Sequence, residues 1–504
     1  MWGKMVTLGI VVFAGILILG SGYVRAELVL EETQSEALGE NQSETVAEPQ
    51  VETLKAAVQS VLETHPEIKA ASYGRQARDW EVVQARGDYW PTLDASTSWG
   101  YMKQDKPEVE DDDSWPRQSK VSLRQNVFRG GANIADVNRQ KARVKSQAYM
   151  VQGTSESLAL RTTRVYLNVL RNTRLHALAK ENLLNHERIA DQVELRLESG
   201  VDAKAEMEQV LGRLALAKSN IAVTTANLND AITDYQAVVG RLPGDLVELE
   251  PLDVIFPADL YDAEQLALKR HPIVRSAEAD LEARDAQYNI SKSQLAPSVD
   301  LSADYNWDKD VWPVDDQRNY FSASATVSMN LFAGGRDRGR IKETLYLLKE
   351  AEEILQNARR ETAQSLRLSW EANQAARERV VYLEEYAQSA EATAEVFGTQ
   401  WNIGRRTMFD LLDTQAEAIN AKADLTRASY DLMYSEYRIL NSMGMLVHSL
   451  GLEWPEEGLL EEDRNDSYAA DRVEEAQSKE AVEPEEAAEP EEDVVPGEED
   501  LLEA

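Results

Sequence analysis

The chain says most things twice. His65-Pro66 returns as His271-Pro272, Ala77-Arg78-Asp79 as Ala283-Arg284-Asp285, and Trp90-Pro91 as Ala296-Pro297. Asn126-Val127-Phe128 with Gly130-Gly131 returns as Asn330-Leu331-Phe332 with Gly334-Gly335, while Gly200 and Gly240 have counterparts in Gly404 and Gly444. The offset is about 204–206 residues, too long for a solenoid of short units, so the copied object is a whole structural half. The halves span 54–256 and 257–455.

Each half contains alternating strands. From Leu93, the residues Leu93, Ala95, Thr97, Trp99 and Tyr101 face one way, against Asp94, Ser96, Ser98 and Gly100. Val121, Leu123 and Val127 oppose Ser122, Arg124 and Asn126. In the second half, Val299, Leu301, Ala303, Tyr305 and Trp307 oppose Asp300, Ser302, Asp304 and Asn306, and Phe321 to Leu331 alternate with serine, threonine and asparagine. The expected strands are 92–102, 120–128, 298–307 and 320–332. Strands of about ten residues with one apolar and one small polar face suit a membrane β-barrel; a soluble sandwich is the other reading of the same alternation. Trp99, Tyr101, Tyr305, Trp307, Tyr320 and Phe321 lie near strand ends, where aromatic rings meet lipid headgroups. Four strands cannot close a barrel and open edges are not tolerated in lipid, so several chains must pool their strands.

Each strand pair is followed by about 68 residues without proline, ending near Gly200 and Gly404. The expected helices are 132–199 and 336–403, each roughly 100 Å long at 1.5 Å per residue. Helices over 201–240 and 405–444 follow, and further helices of about 35 residues are expected over 54–88 and 260–295. One long helix would run out from each strand pair and two shorter ones, end to end, would return along it. The returning helices carry a heptad: Met207, Leu214, Ile221, Leu228 and Tyr235 in the first, Leu411, Ala418, Leu425, Leu432 and Ile439 in the second, with smaller residues between. A sustained seven-residue period supercoils neighbours, either as a two-stranded coiled coil or as a closed tube.

The ends have their own chemistry. Lys4, the apolar run Val6 to Leu19 and the exit Val24-Arg25-Ala26 read as a signal peptide over 1–26. The net charge of −36 is concentrated outside the repeats, in an acidic flexible segment over 27–53 and an acidic tail over 456–504 that is expected to be disordered. Nothing basic is clustered to bind phosphates, so nucleic acid is not an expected partner. The chain has no cysteine. Its five histidines lack metal-ligand spacing, and neither a phosphate loop nor a nucleophile motif is present, so no cofactor and no enzymatic activity are expected. The acidic loop Glu108 to Asp113 reads as a solvated loop or a calcium site.

The stretch Trp401-Asn402-Ile403-Gly404-Arg405-Arg406-Thr407-Met408-Phe409-Asp410-Leu411-Leu412-Asp413 resembles the helix-turn-helix at the periplasmic tip of the TolC family of outer-membrane export ducts. The Asn-x-Phe-x-Gly-Gly motifs resemble the same family, and the resemblance covers Leu54 to about Leu452. It implies an α+β membrane protein: a homotrimer sharing a twelve-stranded outer-membrane β-barrel, continued by a long periplasmic α-helical barrel. Arg164 to Leu170 and Glu206 to Ala217 look closer to the type I secretion branch, which includes exporters of large adhesins. The implied partners are outer-membrane lipid, a periplasmic membrane-fusion adaptor and, through it, an inner-membrane ABC transporter. Multidrug efflux is the alternative duct function, and a periplasmic coiled-coil adaptor or scaffold is the alternative of a different class.

By the same resemblance, Asp410 and Asp413 ring the periplasmic entrance, while Arg406, Trp401 and Glu206 make gate-closing contacts. Three apart on a helix, the two aspartates share a face. The adaptor would dock at the tips: Ser199, Gly200 and Val201 on one, Ile403, Gly404 and Arg405 on the other.

Overall fold

A computed structural model describes residues 51–104, 112–199, 204–249, 257, 259–311 and 317–460. Residues 1–50 and 461–504 lie outside the described part. The signal peptide and most of both acidic segments therefore fall outside it.

In chain order the elements are β1 (Val51–Glu52), α1 (Leu54–Thr64), α2 (Pro66–Gly87), β2 (Thr92–Trp99), β3 (Met102–Gln104), β4 (Asp112–Ser114), β5 (Arg117–Arg129), α3 (Ala132–Glu198) and α4 (Lys204–Val239). Then follow β6 (Asp245–Leu246), α5 (Leu260–Arg270), α6 (Pro272–Ser293), β7 (Ser298–Lys309), β8 (Arg318–Ser328), α7 (Arg336–Asn402), α8 (Met408–Ser442) and the short α9 (Leu446–Ser449). Thr53 belongs to the ordered part, as the N-cap of α1 accepting from the Ala56 amide.

Several elements differ from the sequence expectation. The single helices expected over 54–88 and 260–295 are each broken in two. Proline disfavours the helical conformation in the residue before it, and His65 (ψ 132°) and His271 (ψ 126°) are accordingly non-helical. Each histidine then serves as N-cap, its Nδ1 accepting from the amide of Glu67 (3.2 Å) or Ile273 (3.3 Å). Strand β2 stops at Trp99, leaving Tyr101 outside any strand, because Pro116 opposite has no amide to continue the ladder. Strand β8 stops at Ser328, where its partner β7 begins at Ser298 and has nothing further to offer Met329 to Phe332. Helix α8 starts at Met408 rather than 405, since Thr407 caps it. The tail expected to be disordered from 456 is ordered as far as Leu460, with the Gly458 carbonyl accepting from Gln152 Nε2 at 2.8 Å.

Strands β2, β5, β7 and β8 form one antiparallel sheet in that order. Its register places Leu93, Leu123, Ala303 and Ala323 in one row and Ala95, Val121, Tyr305 and Phe321 in the next. The opposite face carries the row Asp94, Ser122, Asp304, Ser322. On the two inner strands the polar face is the more sheltered: Ser122 is 4% and Asn306 9% exposed, against 43% for Leu123 and 41% for Trp307, while β2 and β8 are exposed on both faces. A soluble sandwich buries its apolar alternates, and this sheet leaves its large ones exposed. Among the described residues both edges of this sheet, β2 and β8, lack a further strand.

Two consecutive left-handed glycines turn each strand pair into a long helix. Gly130 and Gly131 have φ of 61° and 83°, Gly334 and Gly335 63° and 87°. A side chain at Gly130 would also collide with the Ser293 carbonyl, 2.5 Å from an added Cβ. Helices α3 and α7 then run 67 residues each, about 100 Å. Helices α2 and α4 lie along α3, and α6 and α8 along α7, while α6 also packs on α3.

The main core lies mid-way along the helices. Leu158, Tyr166 and Leu170 of α3, Val58 and Val61 of α1, Tyr235 of α4, Leu366 of α7 and Leu440 of α8 meet there. Burying each large side chain stabilises by roughly 1.5–3 kcal/mol. The Tyr166 hydroxyl lies 2.9 Å from the Glu52 carbonyl and 2.7 Å from that of Val247, tying β1 and the end of β6 to α3.

Candidate functional site

At the end of the helices far from the sheet, four elements converge. Ile189, Ala190 and Val193 of α3, Val210 of α4, Trp401 of α7, and Met408, Leu411 and Leu412 of α8 form a small apolar cluster. Helix α7 ends in a complete Schellman motif: Gly404 (φ 74°) donates to the Trp401 carbonyl at 2.9 Å and Arg405 to that of Gln400 at 2.8 Å. Thr407 then opens α8 with a capping box. Its Oγ1 accepts from the Asp410 amide at 3.2 Å, and the Asp410 carboxylate accepts from the Thr407 amide (3.3 Å) and hydroxyl (2.9 Å).

The two aspartates thus sit in the first turns of α8, where the positive end of the helix dipole favours carboxylates. Asp410 is half-buried and engaged in the cap, while Asp413 points outward and pairs with Arg213 of α4 at 2.8 Å. Arg213, which is not named from the sequence, thus joins one helical hairpin to the other at this end through an ion pair. Arg406 instead lies over the Phe397 ring (4.0 Å) and donates from Nε to Gln400 Oε1 (3.0 Å), bracing its own turn. Trp401 is buried, with the Arg196 guanidinium 4.8 Å from its ring centre. Glu206 lies in the first turn of α4, half-buried.

His186 of α3 is buried and its Nδ1 has no hydrogen-bond partner. Burial, and secondarily the positive charge of Arg213, holds its pKa below the usual histidine range. Neither Arg213 nor His186 announces itself in sequence. Both lie inside regular helical stretches, and only the packing of α3, α4 and α8 brings them to one level.

Of the residues expected to dock an adaptor, Ser199 is the C-cap of α3, with its hydroxyl donating to the Leu195 carbonyl at 2.8 Å. Ile403 is exposed, as are Leu195 and Phe409 nearby in the sequence. Gly200 and Val201 lie outside the described residues. At the sheet end, Trp99, Tyr305, Trp307 and Phe321 share the apolar face, and Tyr305 and Trp307 stack at 4.4 Å. Tyr320, adjacent to Phe321, necessarily faces the polar side, where Arg318 covers its ring at 4.9 Å. Tyr101 packs on Trp115 at 5.2 Å, in the connection beyond β2. Of the acidic loop, 105–111 lies outside the described residues and Asp112 and Asp113 pair with β3. No cluster able to hold a metal ion occurs among the described residues.

The sequence profile of the family described as "Outer membrane efflux protein" matches residues 57–241 and 263–445. The chain belongs to that family. It is similar to the outer membrane efflux protein BepC of Brucella suis, 21% identical over 73% of this chain and 79% of that one. It is similar to the outer membrane protein TolC of Escherichia coli, 21% identical over 73% and 77%, and to protein CyaE of Bordetella pertussis, 23% identical over 64% and 69%. Two solved structures share the fold. The CmeC outer membrane channel of Campylobacter jejuni superposes with a TM-score of 0.70 at 15% identity, covering 82% of this chain and 88% of that one. VceC of Vibrio cholerae gives 0.67 at 16%, covering 78% and 96%. As an outer membrane efflux protein the chain is a channel protein of the Gram-negative outer membrane that extends into the periplasm.

Proposed function

We propose that three copies of this chain assemble into one duct. Each chain is built from two copies of one unit, and three chains contribute twelve strands to a barrel and twelve columns of helix to a tunnel. The observation that carries this reading is the sheet: large apolar residues exposed on one face, polar residues on the other that are sheltered on the two inner strands, and two edges without a further strand among the described residues. Purification in detergent followed by mass measurement tests it. A trimer that conducts ions in planar bilayers is the expected result; a water-extractable monomer, as a periplasmic scaffold would be, overturns it.

In this reading the tips form the periplasmic entrance, and Asp410 and Asp413 from three chains place six carboxylates at the constriction. Such a ring binds cations. The double variant Asp410→Ala with Asp413→Ala is expected to weaken divalent block of the single-channel current, and unchanged block would remove these residues from the entrance. Arg213 holds Asp413 back in the closed tip, with Trp401, Arg406 and Glu206 supporting the turns. Ser199, Gly200, Val201, Ile403, Gly404 and Arg405 form the surface for a periplasmic membrane-fusion adaptor, through which an inner-membrane ABC transporter is coupled.

The proposed cargo is protein, exported by type I secretion, on the strength of Arg164 to Leu170 and Glu206 to Ala217. The relatives' names favour the second reading, small-solute efflux: a cation efflux system protein, CusC, and the pyoverdine export protein OpmQ are among them. Identifying which inner-membrane transporter is co-purified after cross-linking separates the two.

A further inference from the structure

Four junctions join the sheet to the helices, and the charged residues beside them are sorted by side. Arg336 and Asp337 of α7 line a pocket with Ser298, Ser328 and Asn330, which continues the polar face of the sheet. Asn133, Asp136 and Arg139 of α3 line the same pocket. At 3.6 residues per turn, Arg338 and Lys342 lie on the opposite side of α7, the side of the apolar sheet face. On α3 that opposite side is a groove shared with α6, lined by Ile134, Asn138 and Lys141.

Depth sorts the cations further. The polar headgroup layer of a bilayer is about 5–8 Å thick on each side of the hydrocarbon. At about 1.5 Å per residue, Arg338 lies roughly 3 Å and Lys342 roughly 9 Å along α7 from its first residue, Arg336. Arg86 and Lys292 are each one residue from the sheet-side ends of α2 and α6. Long side chains carry their charge up toward the interface, so these four reach that layer. Lys141, roughly 14 Å down α3, does not. All four are exposed. Arg86, Arg338 and Lys342 make no ion pair among the described residues, and Lys292 lies over the Tyr288 ring at 4.3 Å.

The carboxylates at the same depth are already answered. Glu81 pairs with Arg143 (2.8 Å), Asp136 with Arg139 (2.6 Å) and Asp337 with Arg336 (3.6 Å), while Asp88 lines the pocket on the polar side. On the sheet side of the cations stand Phe128, Leu295, Leu331 and Phe332, between 47% and 87% exposed. Apolar and aromatic residues followed within two turns by unpaired cations fit the edge of a bilayer.

Resting on the reading that the apolar sheet face meets the outer membrane, we propose that this collar binds the phosphates of anionic glycerophospholipids in the periplasmic leaflet. Arg338 and Lys342, four apart on one helix face, hold one phosphate between them, and the guanidinium fork matches its oxygens. An acidic peptide would satisfy the cations alone, whereas the adjoining Leu331 and Phe332 call for acyl chains.

The test is lipid retention by the full-length protein, purified in detergent and titrated with phosphatidylglycerol or phosphatidylcholine in native mass spectrometry. Phosphatidylglycerol is expected to bind at least about tenfold more tightly. Each cation near a membrane surface contributes about fivefold, so Arg338→Gln with Lys342→Gln is expected to weaken phosphatidylglycerol binding by about ten- to thirtyfold and leave phosphatidylcholine unchanged. Lys141→Gln, at the deeper position, is expected to change neither. Equal retention of both lipids by the parent, or an equal loss in the Lys141→Gln variant, overturns the collar. Displacement of the lipid by millimolar inorganic phosphate would make this a site for a soluble anion and overturns it as well. A trimeric, conducting parent without lipid preference overturns the collar alone; a water-extractable monomer overturns the duct reading with it.

Discussion

Helices α3 and α7 have the same length, 67 residues, and each starts from a pair of left-handed glycines, yet 25 residues of α3 are buried and only 11 of α7. Charge differs between them, with seven acidic residues on α3 and twelve on α7, but both are polar helices, and composition alone does not set which face is covered. Position does. Helix α3 is enclosed by α2, α4, α6 and α8, whereas α7 has α5, α6 and α8 on one side and an open stripe on the other. Burial along such a helix therefore depends on which helices pack around it as well as on its own sequence.

The comparison is broken or upheld most strongly by truncation. Leu158 of α3 is 2% exposed in the main core, and Leu158→Ala is expected to cost about 2–5 kcal/mol in transfer and cavity terms. Leu368 of α7 is 59% exposed, and Leu368→Ala is expected to change stability by under about 0.5 kcal/mol. Denaturant unfolding in detergent measures both. Equal losses would mean that α7 is covered at Leu368 as well.

A second difference lies in charge. Glu156 of α3 is fully buried and accepts from the amides of Leu446 (2.9 Å) and Val447 (3.2 Å) and from the Trp454 indole (3.0 Å), pinning the C-terminal segment. Its counterpart on α7 is the exposed Arg360. Burial raises the Glu156 pKa to about 7, against the pull of the three donors. The folded protein therefore binds this proton more tightly than the unfolded chain, so stability is highest below the ordinary glutamate range. It falls as pH rises from about 4.5 to about 7, by on the order of 3 kcal/mol. Glu156→Gln is expected to flatten that slope, while lowering stability at acid pH because its amide nitrogen opposes a backbone donor. Thermal melts between pH 5 and 8 read both effects, and a slope retained in the variant would place the titration elsewhere.

Much of this architecture is legible in the sequence because its signals are local and long. Proline-free runs bounded by glycines mark α3 and α7, and alternation marks the strands. The breaks at His65 and His271 were equally local, but a helical run of 35 residues hides a single histidine–proline step. Other features depend on distance. The Arg213–Asp413 pair and the buried His186 need three helices to be placed side by side, which no spacing along the chain encodes. The end of β8 at Ser328 depends on where β7 starts. Tyr320 and Phe321 illustrate a limit of reading aromatics by position alone, since neighbours in a strand face opposite ways.

At the tips the expected effects are smaller. Removing the capping hydroxyl with Thr407→Ala is expected to cost about 1 kcal/mol, as it leaves the Asp410 amide without its partner and the Asp410 carboxylate with only the backbone amide of residue 407. Circular dichroism melts of the variant against the parent check the loss, and an unchanged melt would show that the turn is held by its apolar contacts alone.

At Arg213 the expected stability effect is small, and it separates folding from gating. The Asp413 carboxylate is 67% exposed, so Arg213→Ala is expected to change stability by about 0–1 kcal/mol. It also removes the positive charge that helps depress the His186 pKa. In the parent, His186 favours folding as a neutral ring, a contribution complete above the ordinary histidine pKa of about 6.5 and lost as pH falls through the lower folded value. Arg213→Ala weakens that depression, so the acid loss, which begins near pH 6.5 in both proteins, should end at a higher pH in the variant and be smaller in total. If the Arg213–Asp413 bridge also restrains the entrance, the same variant should raise channel conductance at pH 7 with little change in melting temperature. A large drop in melting temperature with unaltered conductance would instead make Arg213 a structural brace between the hairpins.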